Sequence, residues 1–161
     1  MSLVLTDPLM ETVDVYLGLG TNLGDREENL QKALAFLDES FGTHYSALSG
    51  LHETEPWGFE SQDRFMNAAV KYTLPVPRGT SRQEFSRHIL YVCKDIERKM
   101  GRTGVPEYAP DGSRIYHSRI IDIDILLIGD WHVDESDLKI PHPLMRERDF
   151  VMVPLSEIMQ E

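Results

Sequence analysis

The chain has 161 residues and 41% apolar character, enough for one globular domain that buries a core without a disulfide or a structural metal. Lys and Arg number 16 against 27 Asp and Glu, a net charge of −11, which excludes a general nucleic-acid binder but not one nucleotide held by local arginines and Mg²⁺. Cys93 is the sole cysteine, so neither a disulfide framework nor a Cys-based zinc site is expected. Without a run of about 18 apolar residues or a basic-then-apolar leader, the expectation is a cytoplasmic protein with no membrane or nucleic-acid partner.

Residues 1–12 have no clear period and read as a loose extension; a single domain is expected over 13–161. Val13–Leu19 alternates and is β-rich, a first strand. Asp25, with Glu28 three residues on, caps a helix whose apolar positions are Leu30, Ala33, Leu34, Leu37 and Phe41, stopped by Gly42. Residues 43–53 and 65–74 read as two further strands, joined by a turn-rich segment. Ser81 with Glu84 caps a second helix, with Phe85, Ile89, Val92, Cys93, Ile96 and Met100 as its buried stripe. Residues 101–118 read as a long lid-like loop. Ile120–Ile128 is a β-branched strand, with Trp131–Val133 as a hairpin partner across Gly129-Asp130, and the tail after Pro141 reads as short helices. Strand–helix–strand–strand–helix–strand is the ferredoxin-like plan. It predicts an α+β fold, an antiparallel sheet with two helices on one face and the C-terminal segments on the other, three layers in all.

The densest chemistry is Arg119-Ile-Ile-Asp122-Ile-Asp124-Ile-Leu-Leu-Ile. A strand has a side-chain period of two, so the aspartates share one face, about 6.6 Å apart at the Cα atoms. On strict alternation Ile121, Ile123, Ile125 and Leu127 take the opposite face, and Leu126 and Ile128 lie on the carboxylate face. Two carboxylates so placed repel, and divalent cations with oxygen ligands relieve them; a solvated strand face is the plainer alternative. The turn Gly18-Leu-Gly20-Thr-Asn-Leu-Gly24 suggests a dinucleotide fingerprint but is one residue too long, and the nearest acids, Asp38 and Glu39, fall within the helix. Basic and aromatic residues gather near the acidic strand: Arg102, Arg114, Tyr116, His117 and Arg119 before it, and Lys139, His142, Arg146, Arg148 and Phe150 after it. His142, flanked by Pro141 and Pro143, is held extended. Cys93 reads as core, and Glu97, one turn on, is within reach of the sheet.

Five ordered segments together resemble the 6-hydroxymethyl-7,8-dihydropterin pyrophosphokinases: residues 17–25, Thr54-Glu-Pro-Trp-Gly58, Phe65-Met-Asn67-Ala-Ala-Val70, residues 119–127 and residues 140–151. The resemblance spans roughly residues 14–158, and it makes the glycine-rich turn the family's opening strand–helix junction. It implies transfer of the β,γ-pyrophosphoryl unit of ATP to the hydroxymethyl group of the dihydropterin, with release of AMP, in folate synthesis. It further implies that Asp122 and Asp124 bind two Mg²⁺ ions, that Arg102, Arg119 and His142 contact ATP phosphates with Lys94 and Arg148 as further candidates, and that Ile125 and Lys139 border the adenosine. The pterin would lie between Phe150 and an aromatic of the 54–65 turn or the lid, with Asn67 and the backbone at Thr54 and Trp57 on its polar edge.

The chain departs from the family pattern at Gly104, where a second Arg is usual, and at Tyr116-His-Ser-Arg119, where Trp-Gly-Pro-Arg is usual. Arg114 is expected to replace the missing Arg, Tyr116 to take the place of the Trp, and Phe65 stands where Tyr is frequent. Pyrophosphoryl transfer depends on positioning and charge neutralisation more than on a strong base, so no general base is assigned. A monomer is expected. Two other readings remain at this point: a metal-dependent phosphohydrolase using the Asp pair, and a non-catalytic ferredoxin-like ligand sensor.

Overall fold

The computed structural model describes residues 11–54, 65–101, 107–108, 110–112, 114–115 and 120–159, with backbone alone at 54, 107–108 and 114–115. Strand β1 runs Glu11–Thr21, two residues into the segment read as an extension. Helix α1, Arg26–Phe41, starts where Asp25 accepts from the Glu28 N–H at 3.1 Å and ends at Gly42, whose φ of 72° suits a residue without a β-carbon. The single strand expected over 43–53 is two pieces, β2 Ala47–Leu48 and β3 His52–Thr54, because the register on the facing strand slips by one residue between them, where Ser49 bonds Ala69 through both its N–H and its hydroxyl oxygen. Strand β4 spans Phe65–Val76. Helix α2, Arg82–Lys99, carries the expected capping box of Ser81 and Glu84.

Within the segment read as a loop over 101–118, β5 Glu107–Tyr108 and β6 Arg114–Ile115 form a short antiparallel ribbon. Strand β7 is Asp122–Ile128. Trp131–Val133 does not pair back onto β7. Trp131 turns into the core against Phe85, and the hairpin forms one step later between β8 Val133–Glu135 and β9 Leu138–Ile140. A 3₁₀ turn, Met145–Glu147, and helix α3, Asp149–Ile158, complete the described chain.

The main sheet has the order β2-β4-β1-β7, with β3 also on β4, and every pairing is antiparallel. That is the ferredoxin-like arrangement, built as three layers. On one face the α1 and α2 stripes pack against Val15, Leu17, Leu19, Val70 and Tyr72. On the other, Leu155 and Ile158 of α3 pack with Met145 on Tyr16, Ala69 and Leu126. No described helix is long and apolar enough to cross a membrane.

A bulge decides which residues of β7 face which layer. Leu17 pairs with Ile125 but Tyr16 pairs with Leu127, so Leu126 is extra. Strict alternation therefore fails after Ile125. Leu127 packs on the α3 side and Ile128 enters the α1–α2 core, the reverse of the sequence expectation. The slip preserves the apolar match on both faces while Asp122 and Asp124 stay on the α3 side.

Candidate active site

The site is laid out by sheet register. Asp122 pairs with Gly20 and Asp124 with Gly18; across β1, Gly20 pairs with Asn67 and Gly18 with Ala69. Paired residues point to the same face, so two cross-strand rows lie on the α3 side. One runs His52, Asn67, Gly20, Asp122; the other runs Ala69, Gly18, Asp124. The glycines leave a bare floor between the carboxylates and the Asn67 amide. A β-carbon on Gly20 would lie 3.0 Å from Asn67 Oδ1 and 3.8 Å from the Phe65 ring. An aromatic edge and a buried amide thus flank the same open strip, an arrangement suited to a flat heterocycle with a polar edge.

The acidic side is crowded. At an effective dielectric of about 20, two charges about 6 Å apart repel by about 3 kcal/mol. Desolvation, then Asp122, then Glu97 push the Asp124 carboxyl well above the usual carboxylate range, with Lys94 and Arg148 opposing. Glu97 is buried, and its Oε2 accepts from the Ile123 N–H at 2.8 Å, while Lys94 Nζ lies 3.7 Å from its Oε1. The pair offers hard oxygen donors to an environment short of positive charge, which fits magnesium. Among the described residues no group of three or more His, Cys, Asp or Glu forms a ready-made cation cluster.

His142 follows the cis Ile140–Pro141 bond, and its N–H donates to the Leu126 carbonyl at 3.0 Å. Its Nδ1 accepts from the Leu144 N–H at 3.3 Å, which leaves the proton of the neutral ring on Nε2 as a donor. Burial and Arg148 hold its pKa below the ordinary imidazole value, against a smaller pull from Asp122. Arg148 caps α3 and lies over the Phe150 ring at 5.6 Å.

Other residues singled out by sequence are placed by their own strands. The Ile125 side chain belongs to the α1–α2 core, leaving only backbone to face a ligand. Lys139, on β9, is held by Asp134 at 2.5 Å. Thr54 pairs with Phe65 through its backbone, and Arg114 pairs with Tyr108 in the ribbon. Arg102, Trp57, Tyr116 and Arg119 lie outside the described residues. The dinucleotide reading is excluded. Gly18 and Gly20 lie within a strand, and Asp38 accepts from the Tyr72 hydroxyl at 2.5 Å and pairs with His44 at 2.6 Å. Sequence reasoning missed the glycine floor, whose signal is two glycines two residues apart in a strand. It also missed the contacts of His52, which no local pattern announces.

The architecture defines a ferredoxin-like domain with an acidic pair set across a glycine floor from an aromatic–amide flank. Residues 16–160 match the 7,8-dihydro-6-hydroxymethylpterin-pyrophosphokinase (HPPK) family, and the chain belongs to it. It is 43% identical over 146 residues to a 2-amino-4-hydroxy-6-hydroxymethyldihydropteridine pyrophosphokinase of Porphyromonas gingivalis, covering 89% of each protein. The protein of that name in Bacillus subtilis is 36% identical, over 91% of this chain and 78% of the relative. The mitochondrial folate synthesis bifunctional protein of Pisum sativum is 36% identical over 91% of this chain but 25% of its own length.

Proposed function

We propose that this protein transfers pyrophosphate from ATP to the hydroxymethyl group of 6-hydroxymethyl-7,8-dihydropterin, releasing AMP, as a step of folate synthesis. The hydroxymethyl oxygen attacks the β-phosphorus as its proton passes to solvent, the bond from that phosphorus to the oxygen bridging to the α-phosphorus breaks, and AMP leaves. The observation that carries the reading is the floor of Gly18 and Gly20, with Asp122 and Asp124 on one side and Asn67 and Phe65 on the other.

Asn67 donates to and accepts from the pterin edge, assisted by the backbone at Thr54 and Trp57, and Phe65, Phe150 and Tyr116 supply aromatic surface. Asp122 and Asp124 would hold two Mg²⁺ ions, which when bound neutralise phosphate charge. His142 offers its Nε2 proton to a phosphate oxygen. Arg148, Lys94, Arg102, Arg119 and Arg114 add positive charge along the triphosphate, and Lys139 with the Ile125 backbone borders the adenosine. No residue is assigned as general base. The substrates are small and water-soluble, and we place the reaction in the cytoplasm, carried out by a single chain without nucleic acid or membrane.

The test is AMP release with ATP, Mg²⁺ and the pterin together. Phosphate release without the pterin would favour a hydrolase, and ATP binding indifferent to Mg²⁺ would favour a sensor; either result, without AMP formation, overturns the proposal.

A further inference from the structure

We infer that His52 and Glu157 are a positioning pair for the pterin side of the site, joining the edge strand β3 to helix α3 so that Asn67 presents its amide in one place. The inference rests on Asn67 being the pterin contact proposed above.

Strand β3 has three residues and pairs with β4 alone, at His52–Asn67, Glu53–Met66 and Thr54–Phe65. So short an edge strand is held weakly by its own ladder. Side chains captured from both faces hold it instead. Glu53 leaves on the α1 side, where its Oε2 accepts from Arg26 at 2.6 Å. His52 leaves on the α3 side, with its Nε2 2.8 Å from Glu157 Oε2. The other oxygen of Glu157 accepts from the Gly50 N–H at 2.9 Å, in the segment where β2 and β3 part. One carboxylate therefore secures both a backbone amide and the ring beside it. Gly50 N–H, then His52, keep its pKa below the usual glutamate range.

His52 lies directly opposite Asn67, at the outer end of the row that continues through Gly20 to Asp122. A drift of β3 would loosen the neighbour that packs against Asn67 from outside. Glu157 occupies the last turn of α3, and Arg148 caps the first turn of the same helix, about 13.5 Å away by helical rise. One short rigid element thus grips the pterin edge at one end and presents Arg148 toward the carboxylates at the other.

Steady-state kinetics on the full chain test this, with AMP as product. Glu157→Ala should raise the KM for the pterin about tenfold while ATP KM and kcat stay within about twofold, the size of effect a misplaced binding group produces. Glu157→Gln should recover most of the loss, since its amide oxygen still accepts from Gly50. His52→Ala added to Glu157→Ala should cost little more than either alone. Unchanged pterin KM in a Glu157→Ala protein of native circular dichroism, a matching rise in ATP KM, or additive losses in the double variant would each overturn the pair while the reaction stands. Unchanged pterin KM in Asn67→Ala would instead remove the pterin contact, and this inference with it.

Discussion

Asn67 Oδ1 lies 3.0 Å from the point where Gly20 would carry a β-carbon. The closeness makes Gly20 a specificity position rather than a turn glycine. Gly20→Ala should force the Asn67 amide aside and raise the pterin KM about tenfold, with little change in ATP KM. Gly18→Ala should do less, because its β-carbon would meet only the flexible end of Leu126 at 3.4 Å. Equal effects of the two substitutions on the pterin KM would refute the assignment.

Glu97 keeps the edge of β7 in order. Its carboxylate accepts from the Ile123 N–H, on the side of β7 that has no partner strand among the described residues. Glu97→Ala strands a buried backbone donor between the two aspartates and should cost about 2 kcal/mol of stability. Glu97→Gln keeps an acceptor and should cost less than about 1 kcal/mol. Denaturant unfolding gives the sizes, and faster amide exchange at Ile123 in the alanine variant locates the damage.

Asp124 sets function against stability. Its pKa is raised in the folded protein by desolvation and by Asp122, so the folded state holds a proton that the unfolded state has released. Stability from that proton is full below the unfolded value of about 4 and is lost as pH rises through the folded value. Without metal, Asp124→Asn should therefore stabilise the fold by on the order of 1 kcal/mol after solvent screening, seen as a rise in Tm, and more at about pH 8 than at about pH 5. The same substitution should cut turnover about 10²-fold or more, the scale of removing one charge-stabilising group. A variant less stable than the parent at alkaline pH in the presence of a chelator would contradict the argument.

Local pattern carries far in this chain, and stops where long-range geometry takes over. Asp25, Gly42 and the Ser81–Glu84 box mark helix ends because caps act within four residues. The strand order follows from the strand–helix–strand–strand–helix–strand plan, because the two helical crossovers that put both helices on one face of the sheet leave few alternatives. The aspartate pair is legible because the strand period is two. What escapes is register. No rule of alternation foretells the extra Leu126, and so the exchange of Leu127 and Ile128 between layers. Trp131 leaves the expected hairpin because burial against Phe85 outweighs pairing, a tertiary effect. That Glu97 is within reach of the sheet is legible, but its partner, the Ile123 N–H, is named only once β7 is in place, and His52 acquires Glu157 only once α3 folds over the sheet.

Ser86 separates packing from chemistry. It is fully buried in the second turn of α2, and its hydroxyl has no partner among the described residues. An unpaired buried hydroxyl costs about 1–3 kcal/mol, and serine is a poorer helix former than alanine by up to about 0.5 kcal/mol. Ser86→Ala removes both costs at nearly constant volume. We expect a gain of about 1 kcal/mol, seen as a rise in Tm of about 2–4 °C, with kcat and both KM values unchanged. A fall in Tm would mean that the hydroxyl has a partner after all, and that the α2 packing described above is incomplete at that turn.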